Sequence, residues 1–346
     1  MKEEVLGRTG LKVKTIGFGG IPITGVPEDE AIKVIRRCYD LGVNYYDTSR
    51  DYGVSEERIG KALKDARNNV ILATKTQPSS LTKEAALADL ETSLKNLRTD
   101  HVDIYQLHYV SSEAWERIKA PEGALEAMYV ALDSGKADHI GITSHDIPLL
   151  DKIVKENIFE TVMIQYNYLS RQPAEDFLRL CRKKNIGTII MKPFGGGVFS
   201  NARTTLKFVL SNDNVDVVIP GMASVSEVEE NIGVASGSYS LTEEELQLIE
   251  KDRVELGDQF CRNCGDCLPC PQEVPIPLVL RAELFVKRMG YTPEVQKMLQ
   301  GSKEKSTKCI ECEICETRCP YKLPIRDLLK ARREYITTVL KEFPDL

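Results

Sequence analysis

The stretch VNYYDTSRDYGVSEERIGKALKDA, residues 43–66, is one unit of the repeat that decides the fold. A short apolar run, residues 43–48, is followed by a turn and then by an amphipathic stretch, residues 55–66. A nearly continuous apolar run of this length is typical of a strand that is buried on both faces. An amphipathic stretch is typical of a helix that covers such a strand with its apolar face. The unit therefore predicts a strand followed by a helix.

Up to about residue 240 this unit occurs eight times in succession. The predicted strands are 15–20, 43–48, 70–75, 102–108, 139–144, 161–167, 188–193 and 215–220. The predicted helices are 28–41, 55–66, 82–97, 122–135, 147–156, 173–184, 202–211 and 226–235. Eight alternations indicate a parallel sheet covered by helices, and eight units close a (β/α)8 barrel of the α/β class. An open doubly wound sheet is the alternative, but GFGGIP (17–22) lacks the G-x-G-x-x-G pattern expected after its first strand.

Eight of the ten cysteines lie in the last quarter of the chain, in two runs of four that each precede a proline. The runs are Cys261, Cys264, Cys267, Cys270 and Cys309, Cys312, Cys315, Cys319. The second run has the C-x2-C-x2-C-x3-C-P spacing of bacterial two-cluster ferredoxins, in which the fourth cysteine binds the other cluster. We therefore expect two [4Fe-4S] clusters with crossed ligands. One would be held by Cys261, Cys264, Cys267 and Cys319, and the other by Cys309, Cys312, Cys315 and Cys270.

The first run has only two residues before its last cysteine, which makes Cys270 the weakest of the expected ligands. Paired zinc sites are the alternative, because CxxC pairs also suit tetrahedral zinc. Zinc sites usually place two such pairs on either side of a loop, so four consecutive cysteines favour iron–sulfur. Cys38 and Cys181 lie in helical patterns outside the runs, and we expect both to be buried structural thiols.

The segments before and after the predicted barrel indicate how the chain divides into domains. VLGRTGLKVK, residues 5–14, predicts an N-terminal hairpin that closes the bottom of the barrel. Residues 242–255 predict a capped acidic helix, after which the composition changes abruptly. We therefore expect a barrel domain at 1–256 and a small, mostly helical, ferredoxin-type iron–sulfur domain at 257–346. Further helices are expected at 276–300 and 325–342.

Bulk composition excludes several classes of partner. The chain has 346 residues and a formal net charge of −6, with no basic block. Nucleic acid and anionic membranes are therefore not expected partners. No apolar run behind the first residues resembles a secretory signal, and no stretch approaches the roughly 18 apolar residues of a membrane helix. We expect a cytoplasmic protein, whose many cysteines are reduced thiols or metal ligands.

Polar residues at the strand ends are candidates for chemistry, because the active site of a (β/α)8 barrel forms where strands end and βα loops begin. The second predicted strand ends near Asp47, and its loop carries Tyr52. The third strand ends with Lys75 and the fourth with His108. Four residues of complementary chemistry on neighbouring strands predict a reaction centre.

Several segments resemble the aldo-keto reductases, in order, from about residue 4 to residue 250. GVNYYDTSRDYGVSEERIGKAL (42–63) is similar to the first signature of that family, with Asp47 and Tyr52 five residues apart. ATKT carries the family's lysine as Lys75, and VDIYQLH carries its histidine as His108. The resemblance implies a (β/α)8 barrel that binds a nicotinamide dinucleotide. It also implies reversible hydride transfer to a small aldehyde or ketone.

Elementary chemistry supports the same four roles. Reduction of a carbonyl leaves negative charge on oxygen, which needs a proton from an acid. A free tyrosine has a pKa of about 10, and a neighbouring ammonium favours its phenolate. We therefore expect Tyr52 to be the general acid, Lys75 and Asp47 to tune it, and His108 to orient the carbonyl by a hydrogen bond.

The resemblance also implies a set of cofactor contacts, namely Thr143, Ser144, Gln165, Met191, Lys192, Pro193, Phe194, Gly221, Glu227, Glu230 and Asn231. Ser144 and Gln165 match positions that bind the nicotinamide carboxamide, and Met191 stands where many members stack an aromatic ring. The loop 193–197 suits close approach to a diphosphate or is a flexible turn. Gly221 and Glu227 stand where many members clamp the 2′-phosphate of NADP with basic residues. NADP(H) and NAD(H) therefore both stay open, with Lys192 and Arg203 as other sources of charge.

The expected function is NAD(P)H-dependent reduction of a carbonyl by a barrel that also carries iron–sulfur clusters. The first alternative is an electron-transfer protein in which the clusters are the working centres and a redox protein is the partner. The second is a regulatory subunit that senses the cofactor. A hydride carries two electrons, whereas a [4Fe-4S] cluster accepts one, and no flavin site is evident. The sequence leaves the role of the clusters open.

Overall fold

Eight parallel strands form the central sheet of the computed structural model, which describes residues 1–199 and 201–342, with the backbone alone at 287–289 and 294. The order of the strands in the sheet is their order in the sequence. They are β3 (Phe18–Gly19), β4 (Tyr45–Asp47), β5 (Ile71–Lys75), β6 (Val102–Leu107), β7 (Ala137–Thr143), β8 (Thr161–Gln165), β9 (Gly187–Met191) and β10 (Val217–Val218). Each strand overlaps one of the eight predicted segments, although β7 begins two residues and β9 one residue before the predicted start.

The sheet closes on itself. The first and last strands meet through parallel bridges that pair Ile16 with Val218 and Gly19 with Gly221. Gly17 donates its backbone N–H to the carbonyl of Val218 at 2.8 Å. The predicted (β/α)8 barrel is therefore confirmed, and the open doubly wound sheet is excluded.

Helices connect successive strands, as the sequence predicted. They are α1 (Glu28–Asp40), α2 (Ser55–Ala62), α3 (Lys83–Leu97), α4 (Ser112–Ile118), α5 (Ala124–Asp133), α6 (Ile147–Ile153), α7 (Ala174–Lys183), α8 (Ala202–Leu210) and α9 (Val225–Ala235). The sequence did not predict α4, which is seven residues long and lies in the loop after β6. Its signal is the side chain of Ser111, which accepts a hydrogen bond from the backbone of Ala114 and so caps the helix.

The predicted hairpin closes the end of the barrel at which the strands begin. Strands β1 (Glu3–Val5) and β2 (Lys12–Lys14) pair antiparallel, and Leu6 between them is fully buried in the barrel core. Gly7 has a φ of +50°, and a Cβ there would lie 2.1 Å from the backbone nitrogen of Gly187 at the start of β9. Only glycine fits this approach. The opposite rim of the barrel is left for the site.

A second compact unit comprises Thr242–Leu346 together with Gly195–Ser200. The described part of this unit contains α10 (Glu243–Leu256), α11 (Ile276–Leu280), α12 (Ala282–Met289), α13 (Pro293–Ser306), α14 (Ile314–Arg318) and α15 (Ile325–Glu342). The division places α10 with the second unit, although the sequence placed it before the boundary at 257. The last four residues of the predicted domain 257–346 lie outside the described residues.

The predicted helix 276–300 is divided into three. Gly290, with a φ of +71°, ends α12, and Pro293 begins α13 in its first turn. Val279, Leu299 and Ile336 are fully buried and pack these helices against α15. None of the helices within 1–199 and 201–342 is long and apolar enough to cross a membrane.

Candidate functional site

Four predicted site residues come together on the rim where the barrel strands end. Asp47 is the last residue of β4 and Lys75 the last residue of β5, and the two strands are neighbours in the sheet. His108 follows β6, which pairs with β5. Tyr52 lies in the loop between β4 and α2. The parallel sheet brings these residues to the same rim because the carboxyl ends of its strands point the same way.

Asp47 and Lys75 form a buried ion pair at the centre of this group. The Lys75 ammonium donates to Asp47 Oδ1 and to the carbonyl of Thr48, both at 2.6 Å. Asp47 is 2% exposed and Lys75 is 0% exposed. Burial lowers the pKa of the Lys75 ammonium, and the carboxylate of Asp47 opposes that change. The pair therefore places a positive charge on the rim with little solvent to screen it.

The Tyr52 ring lies close both to this charge and to the imidazole of His108. The Lys75 ammonium nitrogen lies 4.9 Å from the centre of the Tyr52 ring. The His108 ring meets the Tyr52 ring edge to face, with their centres 5.6 Å apart. A phenol, an ammonium and an imidazole therefore border the same small region.

His108 is held as a neutral imidazole. Burial lowers its pKa from 6.5 to about 3, the charge of Lys75 and, more weakly, that of Lys192 add to the effect, and a hydrogen bond with the backbone of Thr76 opposes it. Its Nδ1 lies 3.1 Å from the hydroxyl oxygen of Ser49. That oxygen also accepts a hydrogen bond from the backbone of Asp51 at 3.2 Å. Donation by Ser49 to Nδ1 leaves the ring proton on Nε2.

Two residues that support the group were missed by the sequence analysis. Gln106 is fully buried on β6 and donates through Nε2 to Asp47 Oδ2 at 3.3 Å. Its Oε1 is buried and has no hydrogen-bond partner within the described stretches. Gln106 stands two residues before His108, so the alternation of a strand was the available signal. Ser49, two residues after Asp47, had no comparable pattern.

Gln165 and Met191 lie side by side on the same rim. They are paired in register at the ends of β8 and β9, and both are half-buried. Gln165 donates through Nε2 to the hydroxyl of Ser170 at 3.2 Å. A carboxamide beside a thioether offers hydrogen bonding and an apolar contact within one small area.

The hydroxyls of Thr143 and Ser144 are buried and serve the backbone. Thr143 accepts from the backbone of Tyr109 at 2.8 Å. Ser144 donates to the carbonyl of Val110 at 2.6 Å and accepts from the backbone of Asp146 at 3.0 Å. Both residues therefore fix the loops that follow β6 and β7.

Lys192, Pro193 and Phe194 follow β9, where the chain turns sharply. Lys192 has a φ of +54°, which is unusual for a residue with a side chain. Its ammonium nitrogen lies 2.9 Å from His145 Nε2. Pro193 is buried and Phe194 is half-buried. The next three residues are glycines with φ of +59°, +80° and +100°, so this turn depends on glycine.

Residues predicted for the adenosine end lie around α9. Glu227 accepts hydrogen bonds from the backbone of Ala223 at 2.6 Å and of Ser224 at 3.2 Å, so its carboxylate caps the helix. Glu230 is exposed and Asn231 is buried. Gly221 and Arg203 are also exposed, and Arg203 lies in the first turn of α8.

The eight clustered cysteines all lie in the second unit. One pocket is lined by five of them, Cys267, Cys270, Cys309, Cys312 and Cys315. Cys270 therefore lies with three cysteines of the other run. Burial raises the pKa of Cys261, and the nearby thiol of Cys319 acts in the same direction. Within the described residues, no three His, Cys, Asp or Glu side chains are grouped as ligands of a single metal ion.

Comparison with known proteins identifies the family to which the barrel belongs. The model of the aldo/keto reductase family matches residues 15–206, more than half of the chain. The chain belongs to the aldo/keto reductase family. Similar proteins include L-galactose dehydrogenase of Arabidopsis thaliana, 27% identical over 297 residues, which are 72% of this chain and 92% of that protein. Aldo-keto reductase YhdN of Bacillus subtilis is 31% identical over 222 residues, 59% of this chain and 65% of that protein.

Solved structures of aldo-keto reductases share the fold. The holo form of AKR11C1 from Bacillus halodurans is 26% identical, with a TM-score of 0.64 over 72% of this chain and 96% of that one. An aldo-keto reductase from Klebsiella pneumoniae in complex with NADPH has a TM-score of 0.62 over 73% and 95% of the two chains. At 24% identity the second likeness concerns the fold alone. This aldo/keto reductase is therefore an oxidoreductase, as the sequence predicted.

The cysteine-rich segment matches a different family. A 4Fe-4S dicluster domain model matches residues 260–323, which contain both runs of cysteines. The expected pair of [4Fe-4S] clusters is confirmed at the level of the domain, and the match favours iron–sulfur over zinc. Cys38 and Cys181, outside this domain, are fully buried, as expected of structural thiols.

Proposed function

We propose that this aldo/keto reductase reduces a small aldehyde or ketone with NAD(P)H, and that Tyr52 supplies the proton. The observation that carries the proposal is the closeness of the Tyr52 ring to both the Lys75 ammonium and the His108 imidazole. Reduction of a carbonyl needs an acid and a hydrogen-bond donor at the same oxygen. The rim offers both groups, on neighbouring elements of the barrel.

Tyr52 is the acid in this proposal because its hydroxyl is the proton source next to a fixed positive charge. The Lys75 ammonium favours the phenolate that remains after the proton has left. Lys75 itself is held by Asp47 and by the carbonyl of Thr48. Gln106 holds the second oxygen of Asp47, so the carboxylate is fixed on both sides. The ammonium near the Tyr52 ring is therefore fixed in position by its hydrogen bonds.

His108 is the donor that orients the carbonyl. Its lowered pKa keeps the ring neutral, and Ser49 on Nδ1 leaves an N–H on Nε2 for the substrate oxygen. A neutral ring keeps its proton and can only share it. His108 therefore stabilises the developing negative charge while Tyr52 delivers the proton.

The cofactor contacts carried over from the family resemblance remain part of the proposal. A reduced nicotinamide supplies a hydride to the carbonyl carbon. Gln165 and Met191 fit its carboxamide and ring, because an amide and a thioether lie side by side on the rim that also carries the four-residue group. The Klebsiella pneumoniae aldo-keto reductase, which has the same fold, was solved with NADPH. Glu227 disfavours a 2′-phosphate at α9, so NAD(H) and NADP(H) both remain candidates.

We further propose crossed ligands for the two clusters. The first cluster site is defined as Cys261, Cys264, Cys267 and Cys319, and the second cluster site as Cys309, Cys312, Cys315 and Cys270. Cys270 supports the crossing because it lines one pocket with the three other cysteines of the second site. In each run the fourth thiol reaches the cluster of the other run.

Tyr52→Phe tests the catalytic proposal. The variant should lose at least about 100-fold in kcat, the usual scale for removal of a general acid, and its Kd for NADPH or NADH should stay within about threefold of wild type. Tyr129→Phe is the matched control, because Tyr129 is 43% exposed on α5. Turnover by Tyr52→Phe at the rate of the control would disprove the role of Tyr52.

A further inference from the structure

A buried arginine lies among the cysteines of the first cluster site. Arg262 directly follows Cys261 and is 9% exposed. Its guanidinium lies 4.4 Å from the centre of the Tyr321 ring and 5.6 Å from that of Phe260. It donates through Nη1 to the carbonyls of Gly257 at 3.0 Å and of Phe260 at 2.8 Å. The guanidinium is therefore fixed in place and largely removed from water.

Arg262 lies where two ligand-bearing segments of the first cluster site meet. It directly follows Cys261, and its guanidinium lies over the ring of Tyr321, two residues after Cys319. An arginine remains charged in proteins even when it is buried. Arg281, 7% exposed, is a second buried arginine of the same unit.

We propose that Arg262 is a fixed positive charge that makes the cluster at the first site easier to reduce. The inference goes beyond carbonyl reduction and rests on the proposed crossed ligands. One electron added to a [4Fe-4S] cluster makes the cluster and its four thiolates more negative by one charge. A buried cation at short range favours that more negative state, because little solvent screens it. The net charge around a cluster is one of the terms that set its potential.

The second cluster site has an arginine of its own. Arg326 lines its pocket and forms ion pairs with Glu313 at 2.7 Å and with Glu316 at 3.0 Å. The first site also holds a carboxylate, because Asp266 lies beside Cys264. Arg262 directly follows a ligand of the first site, so its removal should change that cluster and spare the other.

The test is a redox titration of the whole protein, purified without oxygen and followed by paramagnetic resonance. Dithionite supplies the single electron that each cluster accepts. In Arg262→Gln the reduction equilibrium of one cluster should become at least about tenfold less favourable, a fall of about 59 mV in its potential. Arg262→Lys, which keeps the charge, should stay within about threefold of wild type. Arg318→Gln is the matched control, because Arg318 is exposed and is likewise adjacent in sequence to a cysteine of the first site, Cys319.

Equal shifts of both clusters, no shift, or an equal shift in Arg262→Lys would overturn the proposal.

Iron and sulfide counts show whether each variant holds both clusters. If Arg262→Gln loses one cluster, Arg262→Met repeats the test without polar atoms in the buried site. Loss of a cluster from both uncharged variants, with retention in Arg262→Lys, supports the requirement for charge. Loss from Arg262→Lys as well would mean that the shape of arginine matters, and would overturn the role of its charge. Loss of both clusters from Arg262→Gln would contradict the crossed ligands themselves.

Discussion

The Lys75 ammonium lies 2.6 Å from Asp47 Oδ1, and neither side chain has meaningful contact with solvent. Two charges removed from water stabilise a fold only through each other. The pair is placed at the ends of β4 and β5, beside the ring of Tyr52. The same contact therefore supports the barrel and the proposed chemistry, and the two effects can be measured separately.

Asp47→Asn should destabilise the protein as well as inactivate it. The variant leaves the Lys75 ammonium buried without a counter-charge, which should lower the free energy of unfolding by about 3 kcal/mol. Urea denaturation without oxygen, followed by circular dichroism, measures this loss. Asp151→Asn is the control, because Asp151 pairs with Lys155 on the surface and should cost less than about 1 kcal/mol. Equal losses in the two variants would contradict the special position of the buried pair.

Much of the barrel could be predicted because each strand and each helix is indicated by the residues within it. Each strand and helix has its own periodicity, so eight repeats define the topology before any contact is known. The helix α4 (Ser112–Ile118) was missed because it is short and its cap was the only strong signal. The division of 276–300 was missed because apolar content was counted and the stop at Gly290 was not.

Only part of the site could be predicted, because the rest depends on contacts between separate elements of the chain. Asp47, Tyr52, Lys75 and His108 could be placed on one rim, because strand ends meet there in any parallel barrel. Gln106 and Ser49 support them through contacts across neighbouring elements. Such contacts depend on register and rotamer, which no spacing in the chain specifies. Glu227 was placed at the position that clamps the 2′-phosphate in many members, and its helix-capping role appeared only with the hydrogen bonds of α9.

The lowered pKa of His108 should appear in the dependence of stability on pH. Its folded pKa is about 3 and its ordinary value is 6.5. Between these values the unfolded chain binds a proton that the folded protein does not, so stability should fall as pH decreases from 6.5 towards 3. The contribution of this residue has a slope of up to about 1.4 kcal/mol per pH unit. Urea denaturation gives the free energy of unfolding of wild type and of His108→Asn at each pH. Plotted against pH, the two free energies should differ in slope by up to that amount.

In the same experiment, the contribution of His139 to stability should change with pH in the opposite direction. A hydrogen bond with Glu160 raises the pKa of His139, against the effect of its burial. Its contribution is complete below pH 6.5 and is lost as pH rises through the raised pKa. His139→Asn should therefore remove stability at low pH, where His108→Asn should restore it. Parallel curves for the two variants would contradict both assignments.

Ser49→Ala should weaken catalysis through the imidazole. Without the Ser49 hydroxyl on Nδ1, His108 is free to place its proton on either nitrogen, so the donor on Nε2 is present for only part of the time. The loss of one hydrogen bond of about 1 kcal/mol corresponds to about a fivefold lower kcat. Nitrogen NMR of the four histidines should show a mixture of tautomers in the variant. A fall in kcat with an unchanged tautomer would point to general damage instead.

Glu227→Gln should shift cofactor preference towards NADPH. The amide keeps an oxygen that can accept from the backbone of Ala223 or Ser224, so the cap of α9 is partly retained. Removal of an exposed negative charge near a 2′-phosphate should improve the Kd for NADPH relative to NADH by about threefold. Fluorescence titrations with both cofactors measure the ratio. Glu230→Gln, in the next turn and exposed, is the control, and an equal change there would mean that only net charge matters.

Pairs of cysteine variants can distinguish crossed from uncrossed ligands. Under crossing, Cys264→Ala with Cys319→Ala removes two ligands of the first cluster site, so the second cluster should remain with about four of the roughly eight iron atoms. Cys264→Ala with Cys270→Ala removes one ligand from each site and should leave almost none. Uncrossed runs would give the opposite results, since Cys264 and Cys270 would then share a cluster. Iron and sulfide analysis of the two double variants therefore assigns Cys270, the expected ligand with the least support from cysteine spacing. Cys181→Ala, which removes a buried barrel thiol, is the control and should keep its full iron content.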